Sequence, residues 1–202
     1  YCNFKRADFL KYLPADLVEY MRHITNLNRE RNIQILVQAK ELNSLLLANN
    51  IRPIFLKGTG NLLAGIYEDI AERMVGDIDF IFSKEDYPKA VIVLRNKGYY
   101  NVEECDYYNP AERHFRRLKN NNNIAAIEIH HALLIEKYAN EFNYSFVVKD
   151  SQIINGAEVL SYANKLNLSI IANQINDNGH YYKTMALRNA YDVFLLSKKT
   201  NA

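Results

Sequence analysis

Two aspartates stand two residues apart inside an apolar run, Gly76-Asp77-Ile78-Asp79-Phe80-Ile81-Phe82. The run reads as a β-strand. Strand side chains alternate between faces, so Asp77 and Asp79 project from one face while Ile78 and Phe80 project from the other. Two unpaired carboxylates on one face of a hydrophobic strand repel each other and lower stability unless a cation lies between them. Oxygen donors of this kind suit Mg²⁺, which takes one or two carboxylates and completes its shell with substrate phosphates. The competing reading is a strand-end pair facing solvent.

Composition narrows the field of partners. The chain has 202 residues, 49% of them apolar or aromatic, which is enough for a core and outside disordered composition. A net charge of +2 leaves no basic footprint, so a nucleic-acid partner is not expected. Cys2 and Cys105 are far apart and lack CxxC spacing, which argues against a disulfide scaffold or a zinc site. No apolar run reaches the ~18 residues a membrane helix needs, and no signal-peptide pattern opens the chain. A cytoplasmic protein with no membrane partner is expected, and the initial Tyr1 suggests a piece of a longer one.

The order along the chain is helix, a mixed α/β centre, then helices. Leu17, Met21, Ile24 and Leu27, then Ile35, Ala39, Leu42, Leu45 and Leu46, recur at helical spacing, so residues 15–49 read as one long helix or two. A short strand over 51–56 precedes a Gly-rich turn, Lys57-Gly58-Thr59-Gly60, with a short helix expected from Asn61 to Tyr67. Ser83, with Asp86 three residues on, marks a helix start, and Gly98 its end. A strand is expected from Tyr99 to Cys105. A hairpin is expected between 114–118 and 124–131, across Lys119 and Asn120 to Asn123. In its second arm Glu128 and His130 share a face with Ile124 and Ala126, and His131 points the other way. A further strand is expected over 142–148, and helices from Tyr162 onward with a break at 176–179. The predicted fold is α+β: an N-terminal helical segment (1–50), a mixed-sheet core (51–150) and a C-terminal helical part (151–202).

Strand, Gly-rich turn, helix and then Asp-x-Asp resembles the nucleotidyltransferase fold of the DNA polymerase β superfamily. The closer likeness is to an uncharacterised nucleotidyltransferase family. Its pattern is matched here by Leu56-Lys57-Gly58, Leu63, Tyr67, Arg73, Asp77-Ile78-Asp79, Glu128-Ile129-His130 and the segment from Arg188 to Asp192. The resemblance covers about residues 45–196. It implies an enzyme that moves a nucleoside monophosphate from an NTP to a small-molecule or protein acceptor, with Mg²⁺ or Mn²⁺ held by Asp77, Asp79 and Glu128. Thr59 stands where the superfamily usually has Ser, keeping a hydroxyl on a stiffer side chain.

For each residue a chemical role stands beside a plainer one. Gly58, Thr59 and Lys57 can meet a phosphate through backbone N–H groups and a point charge, or form a turn with a solvated lysine. Glu128 can act as third carboxylate or base, or as an edge-strand acid; His130 can enter the site or pack. Arg73 can pair with the carboxylates or a phosphate, or with Glu68 or Glu72. Arg188 and Asp192, four apart on a helix, can form an ion pair or meet the nucleotide, and Lys183 can meet a triphosphate. Tyr99, Tyr100, Tyr107 and Tyr108 can stack on a base, though half-buried strand rings are the simpler reading. The alternatives to the transferase are a non-catalytic nucleotide-binding or toxin–antitoxin-type regulatory protein, and a phosphohydrolase.

Overall fold

The structure, a computed structural model, describes residues 1–102 and 113–200. Glu103, Glu104, Cys105, Tyr107, Tyr108 and Glu112, and with them the last three positions of the strand expected over 99–105, lie outside the described residues. A short helix α1 (Cys2–Arg6) leads to α2 (Ala15–Ala48), a single 34-residue helix where the sequence allows one or two. Then follow β1 (Ile54–Phe55), α3 (Lys57–Leu63), β2 (Asp77–Ile81), α4 (Asp86–Asn96), β3 (Tyr100–Asn101), β4 (Leu118–Lys119) and β5 (Ala126–His130). The chain continues through α5 (Tyr144–Val147), β6 (Gln152–Ile154), β7 (Ala157–Val159), α6 (Tyr162–Ile171), α7 (Gly179–Tyr182) and α8 (Leu187–Ser197).

The described strands make one mixed sheet in the order β3-β4-β5-β2-β1-β7-β6. Its centre is parallel, β5 beside β2, while β1 runs antiparallel to β2 and parallel to β7. One face is apolar: Ile78, Phe80, Ile127 and Ile129 are wholly buried, against Ile35, Ala39, Leu42 and Leu46 of α2 and Ala90 and Leu94 of α4. Phe80 meets Phe55 and Phe82 edge-on at 5.5 and 5.4 Å between ring centres, a favoured aromatic geometry. The other face carries the acids.

α2 behaves as two different helices in sequence terms. Its buried residues all fall between Asn32 and Ala48 at helical spacing, whereas none from Ala15 to Arg31 is buried. Its polar side chains act as staples: Asn32 Nδ2 donates to the carbonyls of Ile70 (2.6 Å) and Arg73 (2.7 Å), and Arg31 to those of Val75 and Gly76. These bonds pair backbone groups that would otherwise be orphaned, and they fix the segment that enters β2.

Three expectations are corrected. The Gly-rich turn at 57–60 is the first turn of α3, so that helix starts at Lys57 rather than Asn61. Gly60 is required there by packing, since a Cβ would sit 2.6 Å from the carbonyl oxygen of Phe55. The strand expected over 142–148 contains a helical turn, because Asn143 caps it by accepting the N–H of Phe146 at 3.1 Å. Finally, the C-terminal part is not wholly helical. It opens with the β6–β7 hairpin around Asn155-Gly156, both at positive φ, which extends the sheet beyond β1. α4 starts at Asp86 with Glu85 at its N-cap, two residues beyond the expected Ser83, whose Oγ accepts from Asp86 N at 3.1 Å in the turn before the helix; the hairpin pairs Leu118 with Ile127. No described helix is long and apolar enough to cross a membrane.

Candidate active site

Parallel pairing of β2 and β5 sets Asp79 opposite Glu128 and Asp77 opposite Ala126. Opposed residues share a face, so all three carboxylates emerge on the side of the sheet away from α2 and α4. They line a cleft of about 470 Å³ together with Lys57, Gly58, Arg73, Arg117, Lys165, Arg188 and Asp192. That is room for a small-molecule ligand.

Within the cleft each of these three carboxylates has a partner. Lys57 Nζ lies 2.5 Å from Asp79 Oδ1, 3.4 Å from Glu128 Oε2 and 3.4 Å from His130 Nε2. Arg117 bridges Asp77 Oδ2 (2.8 Å) and Glu128 Oε1 (3.3 Å). His130, 1% exposed, places Nε2 at 2.9 Å from Asp79 Oδ1. Asp79 is the nearest of the polar groups around this nitrogen, with Lys57 Nζ at 3.4 Å and Glu128 Oε2 at 3.6 Å. Its Nδ1 is buried without a partner among the described residues. Lys57 takes up this position with φ of +46°, a left-handed conformation that costs a non-glycine residue energy and often marks a functional position.

These contacts shift the titrations in opposite directions. Burial raises the Asp77 carboxyl above its usual range; the Arg117 charge opposes that, and the Glu128 and Asp79 charges add to it. For Glu128 burial works the same way but is outweighed by His130 and the Lys57 charge, so its carboxyl is held well below the usual range. Burial disfavours the Lys57 ammonium, and Asp79 and Glu128 overcome that, raising its hold on its proton.

The donor set fits a divalent cation. Asp79, Glu128 and His130 offer one ligand atom each, all within 4.8 Å of one another, and Lys57 Nζ already holds a positive charge in their midst. The Asp77 carboxylate stands on the same face of the sheet beside this set.

The other residues singled out from the sequence fare differently. Arg73 lines the cleft and pairs not with Glu68 or Glu72 but with Asp192, Nε to Oδ2 at 3.0 Å. Arg188 lines the cleft but is exposed, and Asp192 takes Arg73 rather than Arg188 as its partner. Lys183 is exposed at the end of α7, outside the residues that line the cleft. Thr59 is wholly buried and its hydroxyl donates to the carbonyl of Asp77 at 2.9 Å, so it secures β2 rather than facing a phosphate. Tyr99 is buried and hydrogen-bonded to Asn123 and Gln38, a structural ring.

Three cleft cations were missed: Arg113, Arg117 and Lys165. Arg117 stands opposite Glu128 once the hairpin register, Leu118 to Ile127, is drawn out. Lys165, 3% exposed, lies on the stripe Ser161, Lys165, Leu168 of α6 and its surroundings, where a lysine among buried positions is the only signal. Its Nζ donates to Gly60 O at 2.9 Å, and burial alone lowers its pKa to about 7.

A search of curated protein sequences gives no match. Among solved structures, the crystal structure of ANT(2″)-Ia in complex with adenylyl-2″-tobramycin is similar, with a TM-score of 0.53 and 12% identity over 81% of this chain and 88% of that one. The solution structure of antibiotic-resistance factor ANT(2″)-Ia gives a TM-score of 0.54 and 12% identity over 83% and 85%. At that identity the likeness is one of fold. The full length of the chain, residues 1–202, matches the family described as an uncharacterised nucleotidyltransferase, and the protein belongs to it.

Proposed function

We propose that the protein transfers a nucleoside monophosphate from an NTP to a hydroxyl of a small-molecule or protein acceptor, releasing pyrophosphate. The observation that carries this reading is the register of β2 against β5, which converges three carboxylates and Lys57 at one end of a cleft. In the reaction the acceptor oxygen bonds to the α-phosphorus and the bond from that phosphorus to the bridging oxygen of the β-phosphate breaks. The acceptor proton passes to a carboxylate, Glu128 being the candidate base. A divalent ion held by Asp77, Asp79 and Glu128 would neutralise charge on the phosphates. Lys57 and Arg117, now engaged with the acids, are free to turn to the triphosphate once another cation takes their place. Arg73 adds a guanidinium at the same end. The protein thus contributes mainly positioning and electrostatics.

A small hydroxylated acceptor is favoured by the similar fold crystallised with adenylyl-2″-tobramycin. One observation favours a second, non-catalytic reading: Lys57 and Arg117 already neutralise the acids. Mass spectrometry of the purified protein with each NTP and Mg²⁺ separates the two. Pyrophosphate with a nucleotidylated acceptor or self-modified protein supports transfer. Inorganic phosphate alone indicates hydrolysis, and unchanged NTP favours the non-catalytic reading.

A further inference from the structure

We propose that Asp192 is a positioning residue for the nucleotide phosphates, acting through Arg73 and held in turn by Tyr67. The inference rests on the nucleotidyl-transfer reading above.

The guanidinium of Arg73 is planar, so fixing two of its nitrogens fixes the direction of the third. Nε is bonded to both oxygens of Asp192, at 3.0 and 3.3 Å, and Nη1 donates to the carbonyl of Met74. Nη2 is the nitrogen left, with no acceptor among the described residues. It lies beside the bare backbone of Gly58 in the cleft: a methyl group added at Gly58 would come within 3.7 Å of it and within 3.0 Å of a Val75 methyl. The two ties thus point a charged N–H at the cleft, next to the residues that carry Lys57 toward the acids.

Asp192 is itself fixed. Its side chain is 4% exposed, and Oδ1 accepts the phenolic hydrogen of Tyr67 at 2.7 Å. Burial and the Asp192 charge both raise the Tyr67 phenol above its ordinary pKa, so it stays a donor. Tyr67 in turn lies 3.4 Å from Asn61 Nδ2, and Asn61 also lines the cleft. The chain Asn61, Tyr67, Asp192, Arg73 therefore runs from α3 to α8 through buried positions and ends on the partly buried Arg73 at the entrance of β2. A carboxylate so placed can do more than fasten α8, because the nitrogen it orients is the one left to the ligand. A charge-assisted bond to a partly buried guanidinium is strong enough to hold that orientation.

The test is titration of the full chain with NTP and Mg²⁺, and with inorganic tripolyphosphate, for the wild type, Asp192→Asn, Tyr67→Phe, Arg73→Gln and the Arg73→Gln/Asp192→Asn pair. Asp192→Asn is expected to raise the Kd about tenfold for both ligands, the loss of roughly one charge-assisted hydrogen bond. The double variant is expected to bind no worse than Arg73→Gln alone, because Asp192 has nothing left to orient. Where Asp192→Asn does not fold, Tyr67→Phe carries the test, with a rise of about threefold expected from one weakened tie. A fastening role alone would lower the melting temperature in every background and leave both Kd values unchanged, and that result would overturn the proposal. So would additive losses in the double variant. Wild-type protein that binds neither ligand would remove the transferase reading and this one together; normal wild-type binding with unaltered variants removes only this one.

Discussion

The two walls of the cleft solve the problem of buried charge in opposite ways. On the wall built by β2 and β5, each carboxylate meets a cation: Asp79 meets Lys57 beside His130, Asp77 meets Arg117, and Glu128 lies between Lys57 and Arg117. On the wall built by α6, Lys165 is buried with a single carbonyl acceptor, and no carboxylate contributes to its titration. Burying an unpaired charge costs far more than burying a paired one. The paired wall is therefore stable without ligand, and its cations must be displaced for a metal to enter. The unpaired wall bears a cost that an incoming anion would relieve. A triphosphate with its metal answers both at once, since it brings a cation for the acids and an anion for the lysine.

The largest expected break in this comparison is on the paired wall. Asp79→Asn removes the carboxylate shared by Lys57, His130 and the candidate metal site. Turnover of NTP should fall by about 10²–10³-fold or more, the scale of losing one charge-stabilising group. Asp77→Asn should act in the same direction on activity but not on folding. The Asp77 carboxyl is raised by burial and by its acidic neighbours, so the amide relieves repulsion and the melting temperature of the ligand-free protein should hold or rise. Steady-state assay and thermal melts of both variants check this; full activity in either would discard the metal-site reading.

The unpaired wall yields a pH signature. Folding lowers the Lys165 pKa to about 7, against about 10.4 for an unfolded lysine. Between those values the unfolded chain holds a proton that the folded chain lacks, so stability from this group rises with pH through the window. Below about pH 7 both states are protonated and the cost of the buried ammonium is fully present. Lys165→Met should therefore raise stability at neutral pH and flatten the difference in melting temperature from pH 7 to 9, with a slope of up to about 1.4 kcal/mol per pH unit removed. The same variant should weaken NTP binding. Denaturant unfolding at several pH values reads the first effect and titration the second. Parallel pH curves for variant and wild type would show Lys165 to be paired after all.

How much of this was legible in the sequence depended on whether local pattern or distant contact decided the outcome. Asp77, Asp79, Glu128 and His130 were readable because strand alternation is strictly local, and the hairpin that carries Glu128 is marked by its asparagine turn. Periodicity does not place β5 beside β2, and the parallel direction of that pair came only with the fold. The β6–β7 hairpin went unseen because its strands are three residues each, too short for alternation to register. The segment at 142–148 was misread for a related reason: its apolar residues fit either period, and a single Asn143 cap tips it to helix. Lys57 to Gly60 looked like a turn from its glycines, but Gly60 is there to let a helix touch Phe55, a contact no local rule contains. Arg73 and Asp192 are 119 residues apart, and only the folded chain introduces them.

A smaller break concerns Thr59, which bridges the two walls because α3 passes between them. Its hydroxyl is buried and donates to the Asp77 carbonyl at 2.9 Å, so it acts on the backbone that presents the acids. Thr59→Val keeps the shape and leaves that carbonyl short of a partner. It should cost about 1–3 kcal/mol of stability, the penalty for an unsatisfied buried group. Thr59→Ser should retain the bond and lose only a methyl group. NTP affinity should be nearly unchanged in Thr59→Ser, and in Thr59→Val only as far as β2 shifts. A large loss of affinity with unaltered stability would mean that the hydroxyl turns to the phosphate in the bound state.

The smallest effect is expected at Lys183, and it sharpens the contrast because it tests a cation outside both walls. Lys183 closes α7 in a left-handed conformation, φ +54°, and its side chain is exposed. It has no buried charge to offset and does not line the cleft. Lys183→Ala should change stability by no more than about 0.5 kcal/mol, as for other exposed positions. Its effect on NTP affinity should be confined to the weak long-range attraction that salt screens beyond about 10 Å. Lys183→Gly goes further: it removes the left-handed strain at no contact cost and should stabilise by about 0.5–1 kcal/mol. Titration at low and at physiological salt, with melts of both variants, settles the point. A loss of NTP affinity at Lys183→Ala that survives salt would place α7 at the ligand and require the segment between α6 and α8 to close over the cleft.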